Sequence, residues 1–138
     1  MIESGFLNRD LATLLSGMGH GDRFVLCDAG FAIPEGLTVV DLALSVNVPT
    51  VDVVLAEILR HFSIEKVMYS REQLNANPAK LRGLLDLLGG SVEQEIISHA
   101  ELKLRSRSVK GVVRTGDFFA YTNLILVSGP GDRWIVEK

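Results

Sequence analysis

The chain has 138 residues, of which 47% are hydrophobic, and this size and composition predict one globular domain with its own core. The formal net charge of −3 argues against the dense positive surface that nucleic-acid binding needs. The single cysteine, the lack of a signal-peptide pattern, and the absence of an apolar run of roughly 20 residues predict a cytoplasmic protein that neither carries disulfides nor enters a membrane.

The first half of the chain alternates between helix and strand patterns. Asn8 is a typical N-cap residue, and the leucine spacing after it predicts a helix that ends at the next glycines. The apolar run 24–27 predicts a buried strand, followed by a loop rich in glycine and proline. A second strand is predicted over 39–44. An amphipathic helix is predicted over 50–62, with Thr50 as its cap.

The second half continues this alternation. Asn77 followed by proline predicts a capped helix that ends near Leu88, and 99–106 predicts a short helical or irregular connection. Further strands are predicted over 64–69, 92–97, 109–114 and 124–127. Strands that alternate with helices predict a single three-layer α/β/α domain over 1–138, with a mainly parallel, mixed sheet.

Polar residues stand next to several of the predicted strands. Sheets of this kind bind ligands beyond the carboxyl ends of their strands. Asp28 directly follows one strand, His99 follows another by two residues, and His20 lies in the turn between the first helix and the first strand. The predicted topology allows these three side chains to converge at one rim of the sheet.

His20 stands in the segment Gly19-His20-Gly21-Asp22. The glycines leave room for a small ligand, and an imidazole with an ordinary pKa near 6.5 can accept or donate a proton at neutral pH. A histidine at a helix C-terminus that is favoured by the helix dipole is the structural alternative.

The other candidates have structural alternatives as well. Asp28 is followed closely by Gly30 and can cap its own turn. His99 follows Ser98, a potential helix cap. The segment 114–123 combines charges, aromatic residues and the amide of Asn123, a mixture suited to sugar binding. The alternative for this segment is a turn whose aromatic residues close the core.

Nothing in the sequence predicts a metal or a cofactor. The three histidines and one cysteine lack recognisable ligand spacing, and there is no GxxxxGK[ST] or GxGxxG segment. A neutral small molecule that is bound without a cofactor is therefore the natural candidate ligand.

Several short segments, in their order and spacing, resemble the sugar mutarotase family that contains ribose pyranases and fucose mutarotases. The resemblance covers residues 5–129. The segments are Met18-Gly19-His20-Gly21-Asp22, Asp28-Ala29-Gly30, Val48-Pro49-Thr50, Ile97-Ser98-His99, Val113-Arg114-Thr115-Gly116-Asp117 and Tyr121-Thr122-Asn123. Residues 130–138 extend beyond the usual end of the family and are expected to add an edge strand or to alter a subunit contact.

The resemblance implies a cofactor-free isomerase that interconverts the β-pyranose and β-furanose forms of D-ribose. It implies that His20 is the proton donor. It also implies that the sugar is bound by Asp28, His99, Tyr121 and Asn123. It also implies homo-oligomeric rings, pentamers stacked as decamers, with sites near the subunit contacts. A mutarotase for L-fucose or another monosaccharide, and a non-catalytic sugar-binding module, remain the alternatives.

These residues suggest a mechanism. Opening a cyclic hemiacetal requires a proton on the ring oxygen and the removal of a proton from the anomeric hydroxyl. We expect His20 to protonate the ring oxygen, while Asp28 holds either the imidazole or a sugar hydroxyl.

Overall fold

The computed structural model describes all residues, 1–138, and contains five α-helices and six strands. The helices are α1 Arg9–Ser16, α2 Val51–Leu59, α3 Arg71–Ala76, α4 Pro78–Leu88 and α5 His99–Arg105. The strands are β1 Arg23–Cys27, β2 Thr38–Asp41, β3 Ile64–Ser70, β4 Glu93–Ile97, β5 Gly111–Arg114 and β6 Leu124–Ser128. A short 3₁₀ turn, Ser106–Ser108, follows α5.

All six predicted strands are present, with small changes at their ends. The predicted caps Asn8 and Thr50 are also present, since their side-chain oxygens accept hydrogen bonds from the amides of Leu11 and Val53. The role predicted for Asn77 is wrong in one respect. The helix does begin at Pro78, but the Asn77 side chain makes no cap and instead donates to the carbonyl of Ala120.

The six strands form one mixed sheet in the order β2-β5-β1-β6-β3-β4. β2, β5 and β1 are parallel neighbours, as are β3 and β4. β6 lies antiparallel to both β1 and β3 and joins the two groups. The mainly parallel, mixed sheet that the sequence predicts is therefore confirmed.

Each face of the sheet carries a separate apolar core, because successive strand residues point to opposite sides. In β1, Phe24 and Leu26 join the larger cluster with α1, α2 and α4, whereas Val25 and Cys27 join the smaller one. Leu102 of α5 packs in the smaller cluster. Helices thus cover both faces, as the three-layer prediction requires.

The C-terminal residues form neither helix nor strand, so the edge strand expected over 130–138 is not present. The exposed apolar side chains of this segment are Trp134, Ile135 and Val136. Nowhere in the fold is there a helix with the length and apolar character needed to cross a membrane.

Candidate active site

Four of the residues that the sequence singled out line one cavity of about 350 Å³. They are Asp28, His99, Tyr121 and Asn123. Asp28 follows β1, His99 begins α5 one residue beyond the end of β4, and the other two precede the antiparallel β6. These positions all lie at the end of the sheet where the parallel strands terminate, which is why the topology brings them together.

A hydrogen bond between backbone and side chain joins the two residues at the base of the cavity. The Asp28 amide donates to Asn123 Oδ1 at 3.0 Å, and the Gly30 amide donates to Asp28 Oδ1 at 3.0 Å. Because the Asn123 oxygen is already engaged, its Nδ2 group is the part of this side chain left to donate to a ligand. Burial raises the pKa of the Asp28 carboxyl, which brings it closer to the range useful for proton transfer.

His99 is held from three sides. Its backbone amide donates to Glu72 Oε2 at 2.7 Å, and its ring packs edge-on against Tyr121 and Phe31 with centroid distances of 5.1 and 6.4 Å. Nδ1 of this ring is buried and has no hydrogen-bond partner in the chain. A buried polar atom of this kind normally has a partner, so Nδ1 is suited to a ligand hydroxyl.

Tyr121 has an unusual backbone conformation. Its φ of +61° lies in the left-handed region, which costs a non-glycine residue of order 1 kcal/mol or more. The Asn123 amide closes the turn by donating to the Tyr121 carbonyl at 2.9 Å. The turn therefore places the phenol at the cavity rim and the amide at its base, at the expense of local strain.

His20 lies at the opposite end of the sheet. It precedes β1, and its Nε2 lies 2.8 Å from Oε2 of Glu65, which is near the start of β3. Gly21, with φ of +88°, turns the chain here, and its amide donates to the carbonyl of Ser128 at the end of β6. The His20 side chain is 60% exposed and therefore open to a partner.

The prediction that His20, Asp28 and His99 converge at one rim is wrong for His20 within a single chain. The five residues of β1 separate it from Asp28, a span of about 17 Å. Of the two roles expected for Asp28, holding the imidazole fails within one chain, because the partner of His20 is Glu65, and holding a sugar hydroxyl stays a prediction. Position next to a strand does not by itself bring residues together, since His20 precedes β1 whereas Asp28 follows it.

Three further residues contact the candidate residues or line their cavity, and the sequence did not predict them. Lys103 lines the same cavity as His99, and the four-residue spacing that puts both on one face of α5 could have indicated it. Glu72 supports His99 from α3, a helix that Ser70 and Gln73 signal as a capping box. Glu65 carries no local signal, since its pairing with His20 spans 45 positions.

A second cavity of about 240 Å³ shares Asp28 and Gly30 with the first. Its wall includes Phe118 and Phe119, which are 64% and 46% exposed. The alternative in which these aromatic residues close the core is therefore wrong. No group of three or more histidine, cysteine or acidic side chains in the chain could hold a metal ion.

A carboxylate, an imidazole, a phenol, an amide and an ammonium group around one open cavity suit a small molecule with several hydroxyls. The fold and this site define an α/β domain that binds a small polar ligand beyond the ends of its strands.

Comparison with known proteins identifies the family. The sequence profile of the RbsD / FucU transport protein family matches residues 1–130, and the chain belongs to this family. A D-ribose pyranase of Streptococcus agalactiae is 40% identical over 129 residues, which are 94% of this chain and 98% of that protein. A D-ribose pyranase of Pseudothermotoga lettingae is 39% identical over 94% of this chain and 92% of its own.

Solved structures agree with this assignment. Bacillus subtilis RbsD, determined in complex with D-ribose, is 36% identical, with a TM-score of 0.89 over 94% of this chain and 98% of its own. The Streptococcus pneumoniae fucose mutarotase, determined with L-fucose, is 19% identical with a TM-score of 0.70 over 98% of this chain and all of its own. The second similarity supports the fold alone.

Proposed function

We propose that this chain is a D-ribose pyranase, an isomerase that interconverts the β-pyranose and β-furanose forms of D-ribose without a cofactor. The observation that carries the proposal is the single cavity formed by Asp28, His99, Tyr121 and Asn123. The relatives at about 40% identity that are named D-ribose pyranase support the choice of sugar. The buried, unpaired Cys27 is compatible with a cytoplasmic location.

The proposed reaction proceeds through the open-chain aldehyde. A proton is delivered to the ring oxygen of the pyranose, the anomeric hydroxyl loses its proton, and the bond between the anomeric carbon and the ring oxygen breaks. The hydroxyl on C4 then attacks the aldehyde, with the proton transfers reversed. A positioned acid or base contributes ~10²–10⁴-fold to such steps.

The proposed roles follow from the two groups of residues. Asp28 and Asn123 bind sugar hydroxyls at the base of the cavity, and His99 and Tyr121 do so from its sides. His20 is the proton donor, and Glu65 fixes the orientation of its ring through the contact at Nε2. In this arrangement Nδ1 of His20 faces the substrate.

A complete site then requires two copies of the chain. The cavity and His20 lie at opposite ends of β1, so one copy supplies the cavity and another supplies the pair His20–Glu65. A ring of identical subunits with head-to-tail contacts satisfies this requirement at every interface. We therefore propose a homo-oligomeric ring, a pentamer or a decamer, with the active sites between subunits.

Saturation-transfer NMR tests the reaction and the sugar. We expect the protein to accelerate exchange between the pyranose and furanose forms of D-ribose more than exchange in L-fucose or D-galactose. His20→Ala should reduce the acceleration by at least about 10²-fold while the circular dichroism spectrum is retained. Preferential acceleration of fucose would support the alternative sugar. Binding of ribose without faster exchange would support a non-catalytic module.

Mixed assemblies test the shared site. His20→Ala and Asp28→Asn should each be inactive as homo-oligomers. When the two variants are co-refolded at equal amounts, roughly a quarter of wild-type activity should return, because a quarter of the interfaces combine an intact cavity with an intact histidine. A failure to recover activity in a mixed oligomer, verified by native mass spectrometry, would show that both residues must belong to the same copy.

A further inference from the structure

Lys80, in the first turn of α4, is nearly buried, which is rare for a lysine. Its side chain is only 8% exposed. The Nζ atom lies 2.8 Å from Oδ2 of Asp117 and 3.1 Å from Oδ1 of Asp52. Neither Lys80 nor its two partners lines the cavity of His99 and Tyr121, and the proposed reaction makes no use of the lysine.

Asp117 connects several parts of the chain around the two cavities. Its Oδ2 accepts from the Val51 amide at 2.9 Å, and its Oδ1 accepts from the Phe119 amide at 2.9 Å. Its backbone carbonyl accepts from the Ala29 amide at 2.9 Å. Asp117 therefore links three segments, which are the start of α2, the loop that contains Asp117, and Ala29, which follows Asp28.

This arrangement depends on a compensating charge. The Asp117 side chain is completely buried, and a buried carboxylate without a cation is strongly unfavourable. Lys80 is the cationic side chain that forms an ion pair with it. Because both groups are withdrawn from water, their attraction is screened less than that of a surface pair.

The same lysine also contacts the aromatic wall. Nζ lies 4.7 Å from the centroid of the Phe119 ring, within the range of a cation–π contact. Phe119 borders the second cavity beside Asp28. The Asn77 side chain, in the preceding turn, donates to the Ala120 carbonyl at 3.0 Å. The start of α4 thus holds the loop 117–120 at two points.

We propose that Lys80 is a positioning residue for the sugar site, one that acts through Asp117 and Phe119. It holds the loop 117–120 against Ala29, and this contact sets the position of the Asp28 carboxylate. The effect on ribose rests on the proposed function, whereas the effect on the loop does not. Loss of Lys80 should impair sugar binding more than it impairs the proton transfers at His20.

The test compares Lys80→Met with Lys66→Met. Lys66 of β3 is also a partly buried lysine with a carboxylate partner, Glu95 of β4 at 3.0 Å, but it lines neither cavity. In Lys80→Met, the ribose concentration at half-maximal exchange should rise about tenfold, whereas the rate at saturating ribose should fall less than about threefold. Lys66→Met should leave both values unchanged.

Amide hydrogen exchange gives a measurement that is independent of the sugar. In Lys80→Met, the amides of Ala29, Val51 and Phe119 should exchange at least about tenfold faster, while core amides such as that of Leu126 keep their protection. If Lys80→Met does not fold, Lys80→Gln, which retains a hydrogen-bond donor, replaces it. In that variant the half-saturating ribose concentration and the exchange rates of the same amides should rise by smaller factors. Unchanged half-saturation and unchanged protection in a folded Lys80 variant would overturn the inference. A wild-type protein inactive on ribose would overturn the proposed function alone.

Discussion

Burial sets the chemistry of two neighbouring residues at the end of β1. Cys27 lies in the apolar core, and burial raises the pKa of its thiol so far that it stays protonated and unreactive. Asp28, one position further, is also mostly buried, but it borders the cavity and its carboxylate is available to a ligand. One step along the chain thus separates an inert core thiol from a candidate sugar-binding carboxylate.

The raised pKa of Asp28 predicts that this residue contributes less to the stability of the folded protein at neutral pH than at acidic pH. Burial lifts the pKa above its ordinary value of 3.8, so the folded state binds more protons than the unfolded state at pH values just above 3.8. The stability contributed by the wild-type residue therefore falls as the pH rises through this window. Relative to wild type, Asp28→Asn should gain stability as the pH rises above 3.8 toward neutrality.

Urea unfolding of both proteins across this pH range measures the difference directly, because other titrating groups are common to the two. A difference in unfolding free energy that is constant with pH, or that moves in favour of the aspartate, contradicts the prediction. The same variant should lose ribose exchange, so stability and activity are expected to change in opposite directions at this position.

The cavity residues could be predicted from the sequence better than the partner of His20 could. Asp28 directly follows β1, so its place at the carboxyl end of that strand is local, whereas Tyr121 and Asn123 precede β6 and reach the same end because β6 runs antiparallel to β1. The pairing of His20 with Glu65 depends on the order of strands, which local patterns do not encode. Lys80 was missed for a related reason, since its partner Asp117 lies 37 positions away in another element.

At the scale of elements, α5 carries two side chains into the cavity. The helix begins at His99, and Lys103 follows one turn later on the same face. Its N-cap is Ser98, whose hydroxyl accepts from the Glu101 amide at 3.0 Å. The cap therefore fixes the start of the helix at the residue that enters the site.

Ser98→Ala should cost about 1 kcal/mol of unfolding free energy and should also weaken ribose binding, because the first turn of α5 contains His99. Asn8→Ala is the matched control. It removes the same kind of cap from α1, whose first turn contributes nothing to either cavity. Thermal unfolding should show similar losses for the two variants, and half-saturation by ribose should rise only for Ser98→Ala. A parallel rise in Asn8→Ala would indicate a general effect of lower stability.

The elements themselves were largely predictable. The apolar runs between the helix patterns predicted all six strands, and the caps Asn8 and Thr50 predicted two helix starts. The short helix α3 was not predicted because its six residues carry little apolar periodicity, so that its only signal is the capping-box pattern of Ser70 and Gln73. Strand order and the antiparallel course of β6 arise from contacts between distant segments, which periodicity does not report.

At the scale of the whole molecule, the two ends of the sheet are chemically different. One end holds the cavity with Asp28 and His99, and the other holds His20 with Glu65. In a single chain, several large apolar side chains are exposed in the loop that follows β2 and in the loop between β5 and β6. They include Leu44, Val46, Phe118 and Phe119. Exposed apolar groups of this kind commonly mark contacts between proteins, which suits a neighbouring copy that brings its histidine to the cavity.

An active site that is shared between copies predicts that activity depends on assembly. On dilution below the dissociation constant of the ring, the ribose exchange rate per subunit should fall in proportion to the fraction of subunits that remain assembled. The fold of each subunit should persist, because both apolar cores are formed within one chain. Exchange is measured by NMR at a series of protein concentrations, the assembled fraction by analytical ultracentrifugation, and the fold by circular dichroism. Full activity per subunit in a population shown to be monomeric would mean that one chain brings His20 and Asp28 together by a rearrangement spanning the length of β1.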